Sequence, residues 1–283
     1  MYLMKKKVLV VTSTRLKVNR GIEKYVKDLK RVCNINVLEA PSIKQLLAIR
    51  NKYDIIDAQD PISFVKILLT NLLTKSKKIV TLHNVYLLKG NVKRFFLRKI
   101  LRFADHIICV SRNVAAPLYS HIPKSKITII TQWLDLNKYK PLKIKKIKNS
   151  YLFVGYLDEI KGFPTFIEES KKHPERKYFV AGDGPLQKLI DQNQKNLKYL
   201  GFLDEKSLIR WYNKVEYVYL PVKYSREGFN RCCMEALACG AKVIANKNVP
   251  CPRPKKGENP RKFAEKHFSE KNAKKIVEIY NRL

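Results

Sequence analysis

The sequence predicts an α/β protein built of two successive doubly wound domains. Three observations carry that expectation. Short continuous runs of Val, Ile and Leu alternate with amphipathic helical stretches, the pattern of parallel strands buried on both faces and joined by crossover helices. The alternation breaks off in a lysine-rich stretch near residue 145 and then restarts. The 283 residues suffice for two cores of ordinary size.

The elements follow in order. "KVLVVTS" (7–13) is apolar and β-branched and ends in small polar residues, so it reads as a buried strand. In "NRGIEKYVKDLKRV", Ile22, Tyr25, Val26 and Leu29 fall at helical spacing. Strands are expected next at 35–40, 54–59, 78–83, 106–111 and 126–131, most of them separated by helices. "NVKRFFLRKILRFA" (91–104) reads as a basic amphipathic helix; it suits either a core helix with a solvated face or an anionic membrane surface. "KYKPLKIKKIKNS" (138–150) has a proline and no apolar periodicity, the composition of a linker. Strands then recur at 150–157, 177–184, 197–203, 215–221 and 241–247. "NRCCMEALACG" is a helix closed by Gly240, and a last helix runs over 263–283. The expected domains are 1–145 and 146–265, with a C-terminal helix at 266–283 able to pack back on the first.

Composition narrows the partners. Hydrophobic residues make up 45%, which excludes a disordered chain. Lys plus Arg number 58 against 24 Asp plus Glu, a net charge of +34. Such a surface attracts nucleic acid, an acidic membrane or phosphorylated small molecules, unless biased coding or adaptation to heat alone raised the lysine count. The six cysteines form no CxxC pair and sit mostly in apolar stretches, as buried thiols do in a reducing compartment. The short N-terminal apolar run lacks a cleavage site, and no stretch approaches the ~18 apolar residues of a membrane span. A cytoplasmic protein is expected, with peripheral association on the inner face of a membrane as the open alternative.

The chemistry concentrates at strand ends. In doubly wound domains ligands bind where strand carboxyl ends meet loops and helix N-termini, and a cleft between two such domains is the expected site. "VGYLDEIKG" (154–162) ends a strand with Gly155 and places Lys161 on the next turn. "AGDGP" (181–185) follows another strand, where backbone can approach a flat ligand, although glycines there are more often plain turns. Glu227 sits where a loop enters the 230–240 helix and Glu235 about two turns inside it. The helix start suits phosphate, and carboxylates beside it suit sugar hydroxyls. The plainer readings are a capping residue for Glu227 and a surface position for Glu235. Met234, Ala236 and Leu237 flank Glu235 and weigh against the second.

Taken together, these motifs resemble the retaining glycosyltransferases of family 4. Gly155 with Lys161-Gly162, "GDGP" (182–185), "YLGFL" (199–203) and Glu227, seven residues, Glu235 stand in the family's order. In the first half, "RGIEKYVKDL" (20–29), "YDIIDAQDP" (53–61), "VTLHN" (80–84) with His83 and "ADHIICVS" (104–111) ending in Ser111 are similar to family segments. The resemblance covers roughly residues 7–247. It implies the GT-B fold, two Rossmann-like domains facing a central cleft. It also implies sugar transfer from a nucleotide-sugar, UDP- or GDP-linked, with retained anomeric configuration, no cofactor and no metal. By the resemblance, Lys161 neutralises the diphosphate, aided by N–H groups at Gly228, Phe229 and Asn230 and by the Gly21 region. Glu235 binds the ribose, Glu227 orients the donor sugar and His83 lies beside it. Gly182, Asp183, Gly184 and Phe202 flank the base.

The sequence departs from the family at three places. Tyr156 stands where a diphosphate arginine is usual, with Arg226 or Arg231 as possible substitutes. Trp133 stands where glycine is usual, and "NKNVPCPRPKKGENPRKF" (246–263) replaces a glycine-rich loop ending in glutamate. Tyr156 and the shortened C-terminal loop favour the competing reading, a decayed enzyme of this fold that binds an anionic partner, whereas intact Glu227, Lys161 and Glu235 oppose it. The acceptor is left open among lipid-linked, glycan and protein. Nucleic acid is not expected as a partner, because no recognition motif accompanies the charge.

Overall fold

The computed structural model describes residues 2–15, 21–71, 73–85, 92–223 and 227–283. Its elements in chain order are β1 (Val8–Thr12), α1 (Gly21–Val32), β2 (Asn36–Glu39), α2 (Ile43–Ala48), β3 (Ile55–Ala58), α3 (Pro61–Asn71), β4 (Lys77–Leu82), α4 (Val92–Leu101), β5 (His106–Cys109), α5 (Arg112–Ala115) and β6 (Ile127–Ile129). The second half adds β7 (Ile147–Val154), α6 (Phe163–Lys172), β8 (Lys177–Ala181), β9 (Leu197–Tyr199), α7 (Glu205–Lys214), β10 (Val215–Leu220), α8 (Arg231–Ala238), β11 (Lys242–Ala245), α9 (Pro260–His267) and α10 (Lys271–Arg282). The chain divides into two compact units. One comprises Met1–Trp133, Arg226–Phe229 and Glu270–Leu283, the other Leu134–Ser225 and Asn230–Ser269.

The first unit holds a parallel sheet in the order β2-β1-β3-β4-β5-β6. Its central strands are buried throughout, which is why β1 reads as an unbroken apolar run up to Thr12 and why β3 and β5 carry one polar residue each, Asp57 and His106. The helical spacing read in α1 is real: Tyr25, Val26 and Leu29 all face the core, beside Val8, Val10 and Ile55. α10 closes that core with Ala273, Ile276, Val277 and Tyr280, residues three or four apart on one stripe. Full burial of an aliphatic side chain such as Leu29 or Ile276 contributes about 1.5–3 kcal/mol. α10 is also pinned by a polar contact, the Tyr280 hydroxyl donating to Asp57 Oδ2 at 2.6 Å. Burial pushes the Asp57 carboxyl up to about 6, against the lowering effect of hydrogen bonds from Tyr280 and Thr81.

The second unit holds a parallel sheet in the order β11-β10-β7-β8-β9. Phe153, Leu157, Phe163, Phe166, Tyr178 and Val180 form its core between the sheet and α6. Phe153 packs edge-on to Phe163 and Phe166 edge-on to Tyr178, at 5.2 and 5.4 Å between ring centres.

Two sequence expectations change. The lysine-rich stretch is part of the second unit rather than a loose connection, because its sparse apolar and polar groups find partners there. Tyr139 is buried, Lys146 donates to the Val215 carbonyl, and β7 already starts at Ile147. The last helix is interrupted: α9 ends with the Phe268 N–H bonded to the Ala264 carbonyl, and Phe268 leaves helical geometry at φ −122°, ψ 21°. α9 lies in the second unit and α10 in the first. Among the described residues no helix is long and apolar enough to cross a membrane.

Candidate active site

In the second unit the sheet order reverses direction beside β7, between β10 on one side and β8 on the other. The carboxyl ends of these strands border the crevice where such sheets bind ligands. Gly155 follows β7, and Lys161 lies beside it; a Cβ on Gly155 would sit 3.9 Å from the Lys161 stem. The turn itself is held by the Asp158 carboxylate, which accepts from the Lys161 backbone N–H at 2.7 Å. Gly182 follows β8 with φ +137°, and a Cβ there would lie 1.9 Å from the Gly155 carbonyl oxygen. Gly184 has the same need, a Cβ meeting the Leu157 backbone at 2.6 Å. These glycines are therefore required by backbone packed on backbone, whatever ligand lies above them. Asp183 supplies its carbonyl to the Leu157 N–H at 2.7 Å and exposes its side chain. Tyr156 is 53% exposed and Phe202 73%, two aromatic rings standing out from the strand ends.

α8 starts at the Asn230 side chain, which accepts from the Cys233 N–H at 2.9 Å and caps the helix. Glu235 is not a surface residue but 1% exposed. The Tyr212 hydroxyl donates to its Oε2 at 3.2 Å, and the Tyr139 hydroxyl stands 3.4 Å from Oε1. Arg231, one turn earlier and also buried, pairs with it at 3.7 Å. Tyr139 itself donates to Glu205 at 2.5 Å, and Lys138 pairs with the same carboxylate. Burial first, then the nearby Glu235 and Glu205 charges, hold the Tyr139 phenol far above its ordinary pKa, so it stays a donor. Arg231, named from the sequence as a substitute for the arginine that Tyr156 replaces, thus has its Nε directed at the Glu235 carboxylate. Arg226 lies outside the described residues.

Glu227, Gly228 and Phe229 belong to the first unit. Glu227 makes an antiparallel bridge with Asn84, and the Gly228 N–H donates to the His83 carbonyl at 2.9 Å. A Cβ on Gly228 would lie 2.4 Å from that oxygen and 2.5 Å from Val114 Cγ2, so only glycine lets the segment lie this close. His83 follows β4, is buried, and shares a hydrogen bond at 3.0 Å between its Nε2 and Gln59 Oε1. The Tyr25 ring meets its imidazole edge-on at 4.6 Å. The structure therefore brings His83 and Glu227 together on one unit; the resemblance set both at the donor sugar but on different domains.

Other expected residues stand apart or act differently. Gly21 opens α1 with open space around its Cα; a Cβ there would meet nothing within 4 Å. The Asn230 N–H donates to the Pro250 carbonyl, so this group and that of Gly228 are both engaged by protein acceptors in this structure. The 246–263 segment braces this helix start and the exit of β10, where Asn246 and Asn248 donate to the Val222 carbonyl. Trp133, in the place of a glycine, is buried against Tyr25 at 5.0 Å. Asp60 accepts from the Ser63 and Ser13 N–H groups, a capping role at α3. Missed by sequence reasoning were Gln59, Asn84, Tyr139, Glu205 and Tyr212. Gln59 and Asn84 fell in segments similar to the family's, 53–61 and 80–84, and the other three carried no signal.

Comparison with known proteins matches both halves. Residues 13–138 match the model described as Glycosyltransferase Family 4, and residues 148–282 the model described as Glycosyl transferases group 1. No curated protein sequence matches. Solved structures share the fold at low identity. HepE of Anabaena, solved in complex with UDP and glucose, has a TM-score of 0.79 at 14% identity, covering 98% of this chain and 100% of its own. Sucrose-phosphate synthase from Thermosynechococcus elongatus has 0.78 at 15%, covering 98% of both chains. The lipopolysaccharide outer core galactosyltransferase WaaB, in its apo form, has 0.66 at 13%, covering 97% of this chain and 93% of its own. With a glycosyltransferase match on each half and this architecture throughout, the chain carries two glycosyltransferase domains on the GT-B fold.

Proposed function

We infer that the protein transfers a hexosyl group from a nucleotide-sugar to an acceptor, with retention of configuration and without an obligatory metal. The observation that carries this is the pairing of the Glu227–Gly228 segment with His83–Asn84 at the end of β4. It fixes a carboxylate-bearing residue and an imidazole-bearing one side by side, the chemistry needed to grip sugar hydroxyls. The fold relatives point the same way: HepE was solved with UDP and with UDP-glucose.

In this reading the bond from the anomeric carbon to the diphosphate breaks and one to the acceptor oxygen forms on the same face. The acceptor proton leaves with the diphosphate or to solvent. Charge then builds on the diphosphate, and in this reading Lys161 meets it, supported by the positive end of α8. Glu227 orients the sugar and His83 flanks it, its ring held by Gln59. The base lies against Phe202, Tyr156 and the 182–184 turn. The ribose is assigned to Glu235, which must release a protein contact to accept it. Tyr139 is the contact given up at least cost, since its proton already serves Glu205.

A second reading has one observation in its favour: an exposed tyrosine, Tyr156, stands where the family's diphosphate arginine is usual, and Arg231 is paired with Glu235. A protein that binds nucleotide-sugars without transfer fits that fact. Incubation with UDP- and GDP-linked sugars without acceptor separates the two. Slow release of diphosphate, with the freed sugar appearing first in the donor's anomeric form by proton NMR, supports the enzyme. Binding without release supports the second reading, and first appearance of the opposite anomer overturns retention.

A further inference from the structure

On the first unit, α2, α3 and α4 enclose a groove of about 460 Å³ lined by Leu47, Val65, Leu68, Leu69, Leu73 and Phe103. Several of its apolar residues are exposed. Leu69 is 77% exposed, Leu73 88% and Phe103 61%, and Ile62 and Phe96 on the same helices are exposed as well. Large apolar side chains gathered in one place on a surface mark a docking site rather than chance exposure.

The charges around the groove indicate what docks. Residues 41–52, 61–78 and 91–104, which contain these three helices, include no Asp or Glu. Arg50 helps line the groove, and Lys44, Lys52, Lys75, Lys99 and Arg102 stand exposed nearby in sequence. The side chains of Lys93, Arg94, Phe95 and Arg98 lie outside the described residues and add only to the sequence charge. A second copy of this chain would bring the same cations to the contact and be repelled. The complementary surface is apolar in depth and anionic at its rim, which is the headgroup–acyl boundary of an anionic lipid bilayer. We propose that this face of α2, α3 and α4 docks the protein on anionic membranes, Leu69, Leu73 and Phe103 entering the boundary while the basic side chains hold lipid phosphates.

The experiment is co-sedimentation with vesicles of phosphatidylglycerol or of phosphatidylcholine, at low and high salt, for the wild type and for Leu69→Glu/Leu73→Glu and Phe103→Glu. These side chains are exposed, so melting temperatures should match the wild type, and that is checked first. Binding to phosphatidylglycerol alone is expected, weakened by salt, and at least ~10-fold weaker in the Leu69→Glu/Leu73→Glu variant. Unchanged binding by that variant would reduce the effect to general charge attraction and overturn the proposal. So would absence of wild-type binding to phosphatidylglycerol, or a wild-type dimer that the same substitutions dissociate.

Discussion

Replacing Gly228 by alanine tests the arrangement of His83 and Glu227 most severely. The new Cβ would stand 2.4 Å from the His83 carbonyl oxygen, with Val114 Cγ2 at 2.5 Å and Val110 Cγ2 at 2.8 Å. Ordinary contact begins at 3.4 Å, so the segment must retreat by about 1 Å, the difference 3.4 − 2.4. The retreat breaks the Gly228 N–H bond to His83, at a cost of about 0.5–1.5 kcal/mol. Residual overpacking against the valines adds about 1–3 kcal/mol. The catalytic effect is larger in proportion, since a misplacement of about 1 Å costs on the order of 100-fold in rate. The assay pairs urea denaturation with steady-state kinetics. The expected result is a fall of about 1.5–4.5 kcal/mol in stability and of about 100-fold in kcat, with nucleoside diphosphate affinity little changed. A folded Gly228→Ala protein with wild-type kcat would refute the role given to this segment.

The remaining predictions concern buried charge and the donor. Glu235→Ala should strand the buried Arg231 guanidinium and cost about 3–5 kcal/mol of stability, whereas Arg231→Met/Glu235→Leu should cost far less; thermal melts of both check this. Asp57 has a folded pKa raised from 3.8 to about 6. Between those values the folded state holds the proton that the unfolded state has lost, so stability falls as pH rises through the window. The full effect, about 3 kcal/mol, is in place above pH ~6. Asp57→Asn should flatten that slope in urea titrations at pH 4 to 7, and an unchanged slope would place its origin elsewhere. Transfer should survive EDTA; activity lost to EDTA and restored by manganese would exclude the metal-independent mechanism.

The fold was legible where one local property determined it. The strands β1, β3 and β5 are buried along their whole length and β4 beyond Lys77, so their sequences centre on Val, Ile and Leu, and the α1 stripe survives intact in the core. Glu235 was half legible. Its apolar neighbours announced burial, but its partners come from residues 23 and 96 positions away, Tyr212 and Tyr139, which no spacing rule connects. The break between α9 and α10 was illegible because no proline or glycine marks it; Phe268 is drawn into the core and ends the helix by packing. The pairing of Glu227 with Asn84 likewise joins distant segments through backbone, which carries no side-chain signature.

The central claim, that the protein binds and uses a nucleotide-sugar, is tested most directly by calorimetric titration with UDP and GDP of the wild type, Lys161→Ala and Glu227→Ala. The account predicts that one diphosphate binds the wild type. Lys161→Ala should weaken it about 10- to 150-fold, the loss of a charge-assisted hydrogen bond of about 1.5–3 kcal/mol. Glu227→Ala, acting on the sugar, should bind it nearly as the wild type does. Absence of binding by the wild type, or equal affinity in the wild type and Lys161→Ala, would contradict it.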